Sequence, residues 1–462
     1  MEKFDLAVIG SGPGGYVAAV RASQLGLKTA CIEKDKVGGI CLNWGCIPTK
    51  ALLKNAEILN HIKHSSDFGV NISSYEIDFE KVIKRSRAVA DRLSKGVEML
   101  FKKNNITKFS GIARFLSKNE IEISGENNKE VIWADKIIVA TGARSRTIPG
   151  ISFDGDKIIS SKEAMILPAA PKSLIIVGAG AIGVEFAYFY NTFGTKVTLI
   201  EMMPKILPVE DGEVSKQLEI SLKKQGIKIY TSTKVQNLNK TETGVSVEIE
   251  TSKGVEKVES EKVLVAIGVQ ANTEGLNLEK IGVEINRGYI VVDKNYKTNV
   301  DNVFAIGDVI GPPLLAHKAS AEAINCVEKI AGISNNDIDY SNIPGCTFSS
   351  PQVGSIGLTE DKAKEKGINY AIGKFPYSGN GKAIASAETE GFVKLIFDKE
   401  TDELLGGHII GYDAAELLAE ISLAKQNKLK AKDIIKSIHS HPTLSELIME
   451  SAAIVHNEAI HF

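Results

Sequence analysis

Two glycine-rich segments of this chain follow the same pattern in the same register. Residues 6–33 read LAVIGSGPGGYVAAVRASQLGLKTACIE, and residues 174–201 read LIIVGAGAIGVEFAYFYNTFGTKVTLIE. Each has a G-x-G-x-x-G motif between an apolar β-branched run and a helix pattern, and each ends in an acidic residue on a second apolar run. One such motif is weak evidence, but two in the same context predict two dinucleotide-binding strand–turn–helix units. The matching positions, 168 residues apart, are Gly10 and Gly178, Gly12 and Gly180, Gly15 and Gly183, and Glu33 and Glu201.

Each position of this pattern has its own physical role. The first glycine makes the tight turn, the second lets the backbone approach a pyrophosphate, and the third lets the helix pack closely on the strand. The pyrophosphate then lies at the helix N-terminus, where backbone N–H groups and the helix dipole favour an anion. The acidic residue accepts a hydrogen bond from a ribose hydroxyl.

A second motif, GGICLNWGCIPTKALL at residues 38–53, follows the first glycine motif directly. Cys41 and Cys46 lie five residues apart at the start of a helix-like run. On a regular helix five residues rise about 7.5 Å, whereas a disulfide needs Cα atoms about 4.4–6.8 Å apart. If the two cysteines pair, the helix must be distorted, and Asn43 and Gly45 are the residues that permit this. A strained, accessible disulfide is easily reduced, which suits catalysis better than structural cross-linking.

Two other interpretations of this cysteine pair exist, an inert pair and a pair of zinc ligands. Zinc sites usually have a shorter C-x2–4-C spacing and two further ligands nearby. No histidine or other cysteine lies close in the sequence, so we favour a redox-active pair and predict no metal site. The other three cysteines, Cys31, Cys326 and Cys346, are expected to be small buried hydrophobic residues.

Composition excludes several classes of protein. The chain has 462 residues, which is too long for one hydrophobic core and predicts about three domains. Its net charge of −2 gives no electrostatic case for binding nucleic acid or an anionic membrane. Five cysteines, an odd number, do not form a secreted disulfide framework. The N-terminus runs straight into a strand pattern, so we expect no signal peptide and a cytoplasmic location.

Further patterns extend the organisation along the chain. ATG at 140–142 and AIG at 266–268 are equivalent strand ends after the two glycine motifs. Residues 76–105 form a charged amphipathic helix pattern, whose basic residues we expect on a solvated face. The longest weakly charged run, 174–190, contains Glu185 and is better interpreted as the second glycine motif than as a membrane span. From about residue 341 the pattern changes to that of a separate α+β domain.

Taken together, these motifs resemble the pyridine nucleotide–disulfide oxidoreductase family over the whole chain. The resemblance rests on the two glycine motifs, CLNWGCIPTK, TNVDNVFAIGD at 298–308 and HSHPTLSE at 439–446. It implies an α/β fold with two Rossmann-like domains, for FAD and NAD, and a C-terminal α+β dimerisation domain. The implied domains are an FAD-binding domain at 1–148, an NAD-binding domain at 149–270, a return to the FAD or central domain at 271–340, and a dimerisation domain at 341–462.

The resemblance also implies roles for individual residues. Cys41 meets the substrate, Cys46 lies next to the flavin, and Lys50 lies near the flavin ring with Glu185 as its partner. His441 is the general base and Glu446 the carboxylate that orients it. The residues implied to contact FAD are Gly10, Gly12, Gly15, Glu33, Lys50, Gly111, Thr141, Gly142, Asp308 and Ala316. The residues implied to contact NAD are Gly178, Gly180, Gly183, Glu185, Glu201, Val235 and Gly268.

Within the family, CLNxGCIPTK together with HSHPTLSE is most similar to the members that oxidise dihydrolipoamide for 2-oxo acid dehydrogenase complexes. This implies a homodimer that transfers hydride to NAD and works with lipoyl domains and an acyltransferase core. Another NAD(P)H-dependent disulfide reductase of the same fold, or a mainly structural docking subunit, is the alternative. Physical reasoning alone leaves open whether His439 or His441 is the base, because an imidazole at either position suits proton transfer near neutral pH.

Overall fold

The protein is described here from a computed structural model that covers residues 1–126, 128–334 and 336–461. The chain divides into two compact units. The first comprises Met1–Ala51, Glu80–Arg146 and Gly268–Ile338, and the second Leu52–Phe79, Thr147–Ile267 and Asp339–Phe462. The four-part division at residues 148, 270 and 340 stays a prediction.

The strands are short and follow the apolar runs of the sequence. They are β1 (Glu2–Ile9), β2 (Thr29–Glu33), β3 (Thr107–Ser110), β4 (Ile112–Phe115), β5 (Glu120–Ser124), β6 (Lys129–Val139), β7 (Ala143–Ser145), β8 (Ile158–Ile159), β9 (Ser173–Val177), β10 (Lys196–Ile200), β11 (Lys228–Tyr230), β12 (Lys234–Lys240), β13 (Val245–Thr251), β14 (Gly254–Ser260), β15 (Lys262–Val265), β16 (Val269–Ala271), β17 (Ile285–Asn286), β18 (Tyr289–Ile290), β19 (Val303–Ala305), β20 (Gly345–Thr347), β21 (Gln352–Gly357), β22 (Tyr370–Pro376), β23 (Phe392–Asp398) and β24 (Leu404–Gly411).

The helices alternate with these strands in the two parts of the chain that carry the glycine motifs and flank a sheet in its last third. They are α1 (Pro13–Gln24), α2 (Gly39–Trp44), α3 (Cys46–Lys63), α4 (Phe79–Lys103), α5 (Ser161–Ala164), α6 (Ala181–Thr192), α7 (Gly212–Lys224), α8 (Ala316–Ile330), α9 (Glu360–Glu365), α10 (Gly381–Ala385), α11 (Ala414–Gln426), α12 (Ala431–Lys436) and α13 (Glu446–Val455).

The first unit is built on a sheet in the order β3–β2–β1–β6–β5–β4, with β19 also paired with β6. Strands β1, β2, β3, β6 and β19 are parallel. Both faces of β1 are covered, because Leu6 and Val8 belong to one buried cluster while Ala7 and Ile9 belong to another. This explains why the strand is apolar without alternation. Helices α1, α4 and α8 contribute to the cluster around Leu6 and Val8.

The second unit contains a fully parallel sheet, β11–β10–β9–β15–β8, and an antiparallel sheet, β12–β13–β14. In the parallel sheet, β9 and β10 pair in parallel as β1 and β2 do in the first unit, with the second glycine motif following β9. The last third of the chain forms the antiparallel sheet β20–β21–β24–β23–β22, with α11 against β21 and β24 and α13 against β22 and β23. The predicted α/β class with a C-terminal α+β part is confirmed.

Among the residues that the structure covers, none of the helices combines the length and the apolar character needed to span a bilayer.

Candidate active site

The first glycine loop connects β1 to α1, and each of its three glycines is constrained differently. Gly10 has φ +100°, and a Cβ there would lie 2.4 Å from the carbonyl oxygen of Ala140. A Cβ on Gly15 would lie 1.9 Å from the carbonyl oxygen of Gly10. By contrast, a Cβ on Gly12 would have no atom of the described chain within 4 Å. The chain itself therefore requires the first and third glycines, whereas the second leaves room for a ligand.

The second glycine loop, between β9 and α6, repeats this geometry. Gly178 has φ +103°, and its Cβ would lie 2.4 Å from the carbonyl oxygen of Ala266. A Cβ on Gly183 would lie 1.9 Å from the carbonyl oxygen of Gly178, and a Cβ on Gly180 would meet nothing within 4 Å among the described atoms. Ala140 and Ala266 belong to the ATG and AIG segments, so the predicted equivalence of those strand ends is confirmed.

The acidic residues of the two motifs are also placed equivalently. Glu33 Oε2 accepts a hydrogen bond from the N–H of Ser11 at 2.9 Å, and Glu201 Oε2 accepts one from the N–H of Ala179 at 2.7 Å. In each case the other carboxylate oxygen accepts from the N–H two residues downstream, at 2.9 and 2.8 Å. The carboxylates are therefore fixed beside their glycine loops.

Both loops fit a bound pyrophosphate. Gly12 and Gly180 are the N-cap residues of α1 and α6, and no side chain caps either helix at this position. The first-turn N–H groups of a helix attract an anion, and the open side of each middle glycine lets that anion approach the backbone. The donor set and the shape thus suit one dinucleotide at each loop.

The cysteine segment begins directly against the first glycine loop. A Cβ on Gly39 would lie 2.6 Å from the Cα of Gly12, so the two backbones are in close contact. The N–H of Gly38 also donates to the carbonyl oxygen of Ser11 at 3.1 Å. The expectation that the cysteines lie near the first nucleotide site is supported by these contacts.

A break in the helix separates the two cysteines. Cys41 lies in α2, which ends at Trp44, and Cys46 is the first residue of α3; Gly45, between them, has φ −147° and ψ −120°. A Cβ on Gly45 would lie 3.1 Å from the carbonyl oxygen of Ile40, which favours glycine at the break. This is the distortion predicted from the spacing, and it allows a hydrogen bond between the Cys41 and Cys46 side chains.

The electrostatics of the pair are asymmetric. The hydrogen bond with Cys46, together with burial, raises the pKa of the Cys41 thiol, and nearby Lys50 lowers it by a smaller amount. Cys46 begins a helix of 18 residues, where the helix dipole stabilises a thiolate. A single negative charge on the pair is therefore favoured on Cys46.

Three of the predicted flavin contacts, Gly111, Thr141 and Gly142, lie just after the carboxyl ends of β3 and β6 in the first unit. The N–H of Gly111 donates to the carbonyl oxygen of Glu33 at 2.9 Å. Thr141 Oγ1 donates to the carbonyl oxygen of Asn272 at 2.7 Å, and the N–H of Asn272 donates to the carbonyl oxygen of Gly142 at 2.9 Å. Their contact with a nucleotide stays a prediction.

Asp308 and Ala316 lie on either side of a short loop before α8. Burial raises the pKa of the Asp308 carboxyl, Lys318 lowers it and Glu322 raises it further. Lys318 and Glu322 form a fully buried ion pair at 3.2 Å. Glu322 accepts from the N–H of Gly307 at 2.8 Å, and Lys318 donates to the carbonyl oxygen of Gly307 at 3.2 Å. The sequence did not single out this pair, which fixes the backbone next to Asp308.

The remaining predicted cofactor contacts are spread over the two units. Glu185, in α6, is buried and accepts a hydrogen bond from the N–H of Phe348 at 2.9 Å. Val235 lies on β12 at a bulge, and Gly268 has φ +105°. Lys50 belongs to the first unit and Glu185 to the second, so their pairing stays a prediction.

His441 and Glu446 form the predicted pair. His441 Nδ1 and Glu446 Oε1 are 2.9 Å apart, and Glu446 Oε2 accepts from the N–H of Thr443 at 2.9 Å. Partial burial tends to raise the pKa of Glu446, but the hydrogen bonds from Thr443 and His441 outweigh it and hold that pKa below its usual range. The carboxylate thus stays ionised and orients the imidazole.

The two histidines of HSHPTLSE have different environments. The His439 side chain is 7% exposed, with one ring nitrogen 2.7 Å from Glu420 Oε1 and the other 2.9 Å from the carbonyl oxygen of Ser437. The His441 side chain is 78% exposed, and within the described residues its Nε2 has no hydrogen-bond partner. A base needs an accessible ring nitrogen, so the geometry favours His441, in agreement with the resemblance.

Two expectations from the sequence are corrected. The basic residues of 76–105 do not all lie on a solvated face, because Arg87 is half-buried and donates to the carbonyl oxygen of Asn43 at 2.7 Å. Cys31 and Cys326 are buried as expected, but Cys346 is only half-buried on β20. The role of Arg87 was missed because its hydrogen-bond partner is a backbone carbonyl, which carries no sequence signal.

Comparison with known proteins agrees with this geometry. Residues 4–323 match the family model described as pyridine nucleotide-disulphide oxidoreductase, and residues 343–452 match the dimerisation domain of the same family. The chain is 48% identical to dihydrolipoyl dehydrogenase of Rhizobium etli, with 97% of each chain covered. It is 43% identical to dihydrolipoyl dehydrogenase of Bacillus subtilis, with 100% of this chain and 99% of that one covered.

Solved structures show the same likeness. LpdA from Mycobacterium tuberculosis has 25% identity and a TM-score of 0.91, with 98% of this chain and 99% of that chain covered. The HOCl-induced flavoprotein disulfide reductase RclA from Escherichia coli has 27% identity and a TM-score of 0.87, with 98% of this chain and 100% of that chain covered. With its two nucleotide loops, its cysteine pair and the matched dimerisation domain, the chain belongs to the pyridine nucleotide-disulphide oxidoreductase family.

Proposed function

We propose that this protein oxidises protein-bound dihydrolipoyl groups to lipoyl groups, with NAD⁺ as the final electron acceptor. The observation that carries this proposal is the cysteine pair. Cys41 and Cys46 face each other across a broken helix that starts against the first dinucleotide loop. The dihydrolipoyl dehydrogenases of Rhizobium etli and Bacillus subtilis match almost the full length of the chain, which supports this substrate class.

FAD is held at the first loop and NAD at the second. The open sides of Gly12 and Gly180 receive the pyrophosphates, and Glu33 and Glu201 are the ribose acceptors. When bound, FAD would supply two-electron redox chemistry beside the cysteine pair, and NAD⁺ would supply the final hydride acceptor. The chain supplies position and polarity for this exchange.

The thiol chemistry is carried out by protein side chains, with His441 of one subunit acting at the cysteine pair of the other subunit. His441 removes a proton from one substrate thiol, and the resulting thiolate attacks Cys41 Sγ. The Cys41–Cys46 disulfide breaks, a mixed disulfide forms, and Cys46 leaves as a thiolate at the start of α3. The second substrate thiol then displaces Cys41 and passes its proton to the departing Cys41 sulfur, which yields the oxidised substrate and a reduced cysteine pair.

The protein acts as a homodimer in the cytoplasm, with lipoyl domains and the acyltransferase core of 2-oxo acid dehydrogenase complexes as partners. Residues 343–452 match a dimerisation domain, which supports the homodimer. The cysteine content, five residues without the pattern of a secreted framework, supports a reducing compartment. The lipoyl group, attached to its carrier domain, must be delivered to the cysteines, so docking accompanies catalysis.

The purified protein should carry a flavin spectrum and reduce NAD⁺ with dihydrolipoamide. NADP⁺ should be a much poorer acceptor, because the charge of Glu201 repels a 2′-phosphate. Two like charges about 4 Å apart repel by about 4 kcal/mol at an effective dielectric constant near 20, before solvent screening. Efficient NADPH-dependent reduction of another disulfide would favour the alternative reductase, and a protein without any redox turnover would favour a docking subunit.

Replacing each middle glycine should impair the binding of one nucleotide and leave the binding of the other unchanged. Gly12→Ala should weaken FAD retention by about tenfold or more, which corresponds to about 1.4 kcal/mol, while the apoprotein keeps its melting temperature. The reason is that the added methyl meets no described atom of the chain but occupies the approach to the pyrophosphate. Gly180→Ala should retain FAD and raise the KM for NAD⁺.

The matched control is Gly15→Ala, whose methyl would lie 1.9 Å from the carbonyl oxygen of Gly10. This variant should lower the melting temperature of the apoprotein as well as its flavin content. Full flavin occupancy in Gly12→Ala would contradict the assignment of this loop.

A further inference from the structure

Helix α4 donates hydrogen bonds to the cysteine segment. Ser86 Oγ donates to the carbonyl oxygen of Pro48 at 3.0 Å, and Arg85 Nη1 donates to the carbonyl oxygen of Ala51 at 3.0 Å. Both acceptors lie in α3, after Cys46, and Ser86 is fully buried. The helix therefore holds the segment that follows the second cysteine.

The same helix also holds the segment between the two cysteines, through Asn43. This residue is buried, and its Nδ2 donates to the carbonyl oxygens of Val37 and Gly39, each at 3.0 Å. Its Oδ1 accepts from Ser94 Oγ at 2.9 Å, and its backbone carbonyl accepts from Arg87 Nη1 at 2.7 Å. Asn43 thus joins the start of α2 to α4.

Arg87 makes a second contact with this segment. Its guanidinium lies 4.8 Å from the ring centroid of Trp44, in a cation–π arrangement. The guanidinium therefore contacts both residues at the end of α2, just before the helix breaks. A cation at the C-terminus of a helix is favourable, because it lies near the last carbonyl groups.

We infer that Arg87 is a positioning residue that, through Asn43 and Trp44, keeps Cys41 beside Cys46 after their disulfide is reduced. The inference rests on the proposed function of the cysteine pair. The two cysteines belong to different helices, so in the dithiol state the end of α2 must be held by contacts other than the disulfide. Restricting the dithiol state lowers the entropy lost when the disulfide forms again, and this favours the disulfide.

The test is the redox equilibrium of the cysteine pair in the holoenzyme. Wild type, Arg87→Met, Arg87→Lys and Arg92→Met are equilibrated anaerobically with set ratios of reduced and oxidised dithiothreitol, alkylated and analysed by peptide mass. In this exchange the enzyme disulfide becomes two thiols while dithiothreitol becomes its cyclic disulfide. Arg92, exposed on the same helix, is the matched control.

Arg87→Met should shift this equilibrium about tenfold toward the dithiol, a rise of about 30 mV in potential. Arg87→Lys, which keeps a cationic donor, should shift the equilibrium much less than Arg87→Met does. Arg92→Met should match the wild type. In the reduced state, Arg87→Met should also speed alkylation of Cys41. If Arg87→Met does not fold, Ser94→Ala, which removes the donor to Asn43 Oδ1, should give a smaller shift of the same sign.

An unchanged or lowered potential in Arg87→Met, even with a lower melting temperature, would overturn the inference and assign Arg87 a purely structural role. A wild-type enzyme whose Cys41–Cys46 pair does not exchange with dithiothreitol at all would instead contradict the proposed function. Failure of the inference about Arg87 and failure of the proposed function therefore give different experimental results.

Discussion

Cys41→Ser should abolish the oxidation of dihydrolipoamide while the protein keeps its FAD and still accepts electrons from NADH. Serine preserves the size of the side chain but cannot form the mixed disulfide, so the thiol exchange has no first step. The glycine loops that hold the nucleotides do not include this residue, which lies on α2. Turnover with dihydrolipoamide and NAD⁺ measures the lost oxidation. The flavin spectrum measures the retained FAD, and anaerobic reduction by NADH measures the retained electron transfer.

The control for this substitution is Cys346→Ser, on β20 in the other unit, which should keep normal turnover. Substantial oxidation of dihydrolipoamide by Cys41→Ser would contradict the role of this cysteine. Loss of bound flavin in the same variant would instead indicate that the pair supports the structure of the nucleotide site.

His441→Gln should lower kcat/KM for dihydrolipoamide by about 10²–10⁴-fold, the usual contribution of a general base. Glutamine can still interact with Glu446 but cannot take a proton from the substrate thiol. Transfer of electrons from NADH to a dye acceptor does not need that proton transfer and should change little.

His439→Gln is the matched control, because it removes the neighbouring imidazole of the same motif. His439 is buried against Glu420, so its loss should lower the melting temperature more than the rate. A larger kinetic defect in His439→Gln than in His441→Gln would assign the base to the other histidine.

The parts of the site that depend on local backbone geometry could be predicted from the sequence. The glycine spacing predicts a strand–turn–helix unit. Pairing of two cysteines five residues apart requires a break in the helix, and this break occurs at Gly45. Both results follow from short-range sterics. The equivalence of the two loops was visible as a repeated sequence, and in the structure each first glycine lies against the end of a neighbouring parallel strand.

The parts that depend on tertiary packing could not be predicted. Nothing in the pattern of 76–105 distinguishes Arg87, which contacts Asn43, from Arg92, which is exposed. The difference between His439 and His441 likewise arises from α11, which supplies Glu420. Short helices such as α12 (Ala431–Lys436) are too brief to show an apolar period, so the sequence did not predict them.

The unequal constraints on the three glycines have a consequence for the divergence of duplicated domains. The first and third glycines of each loop are required by contacts with the backbone, so they must persist as long as the domain folds. A Cβ on the middle glycine, at Gly12 or Gly180, would meet no described atom of the chain within 4 Å, so under the proposed function the nucleotide is what requires this glycine. A descendant copy that lost its nucleotide would be free to change this one position while keeping the other two. The middle glycine therefore distinguishes a working nucleotide site from an inherited fold that no longer binds one.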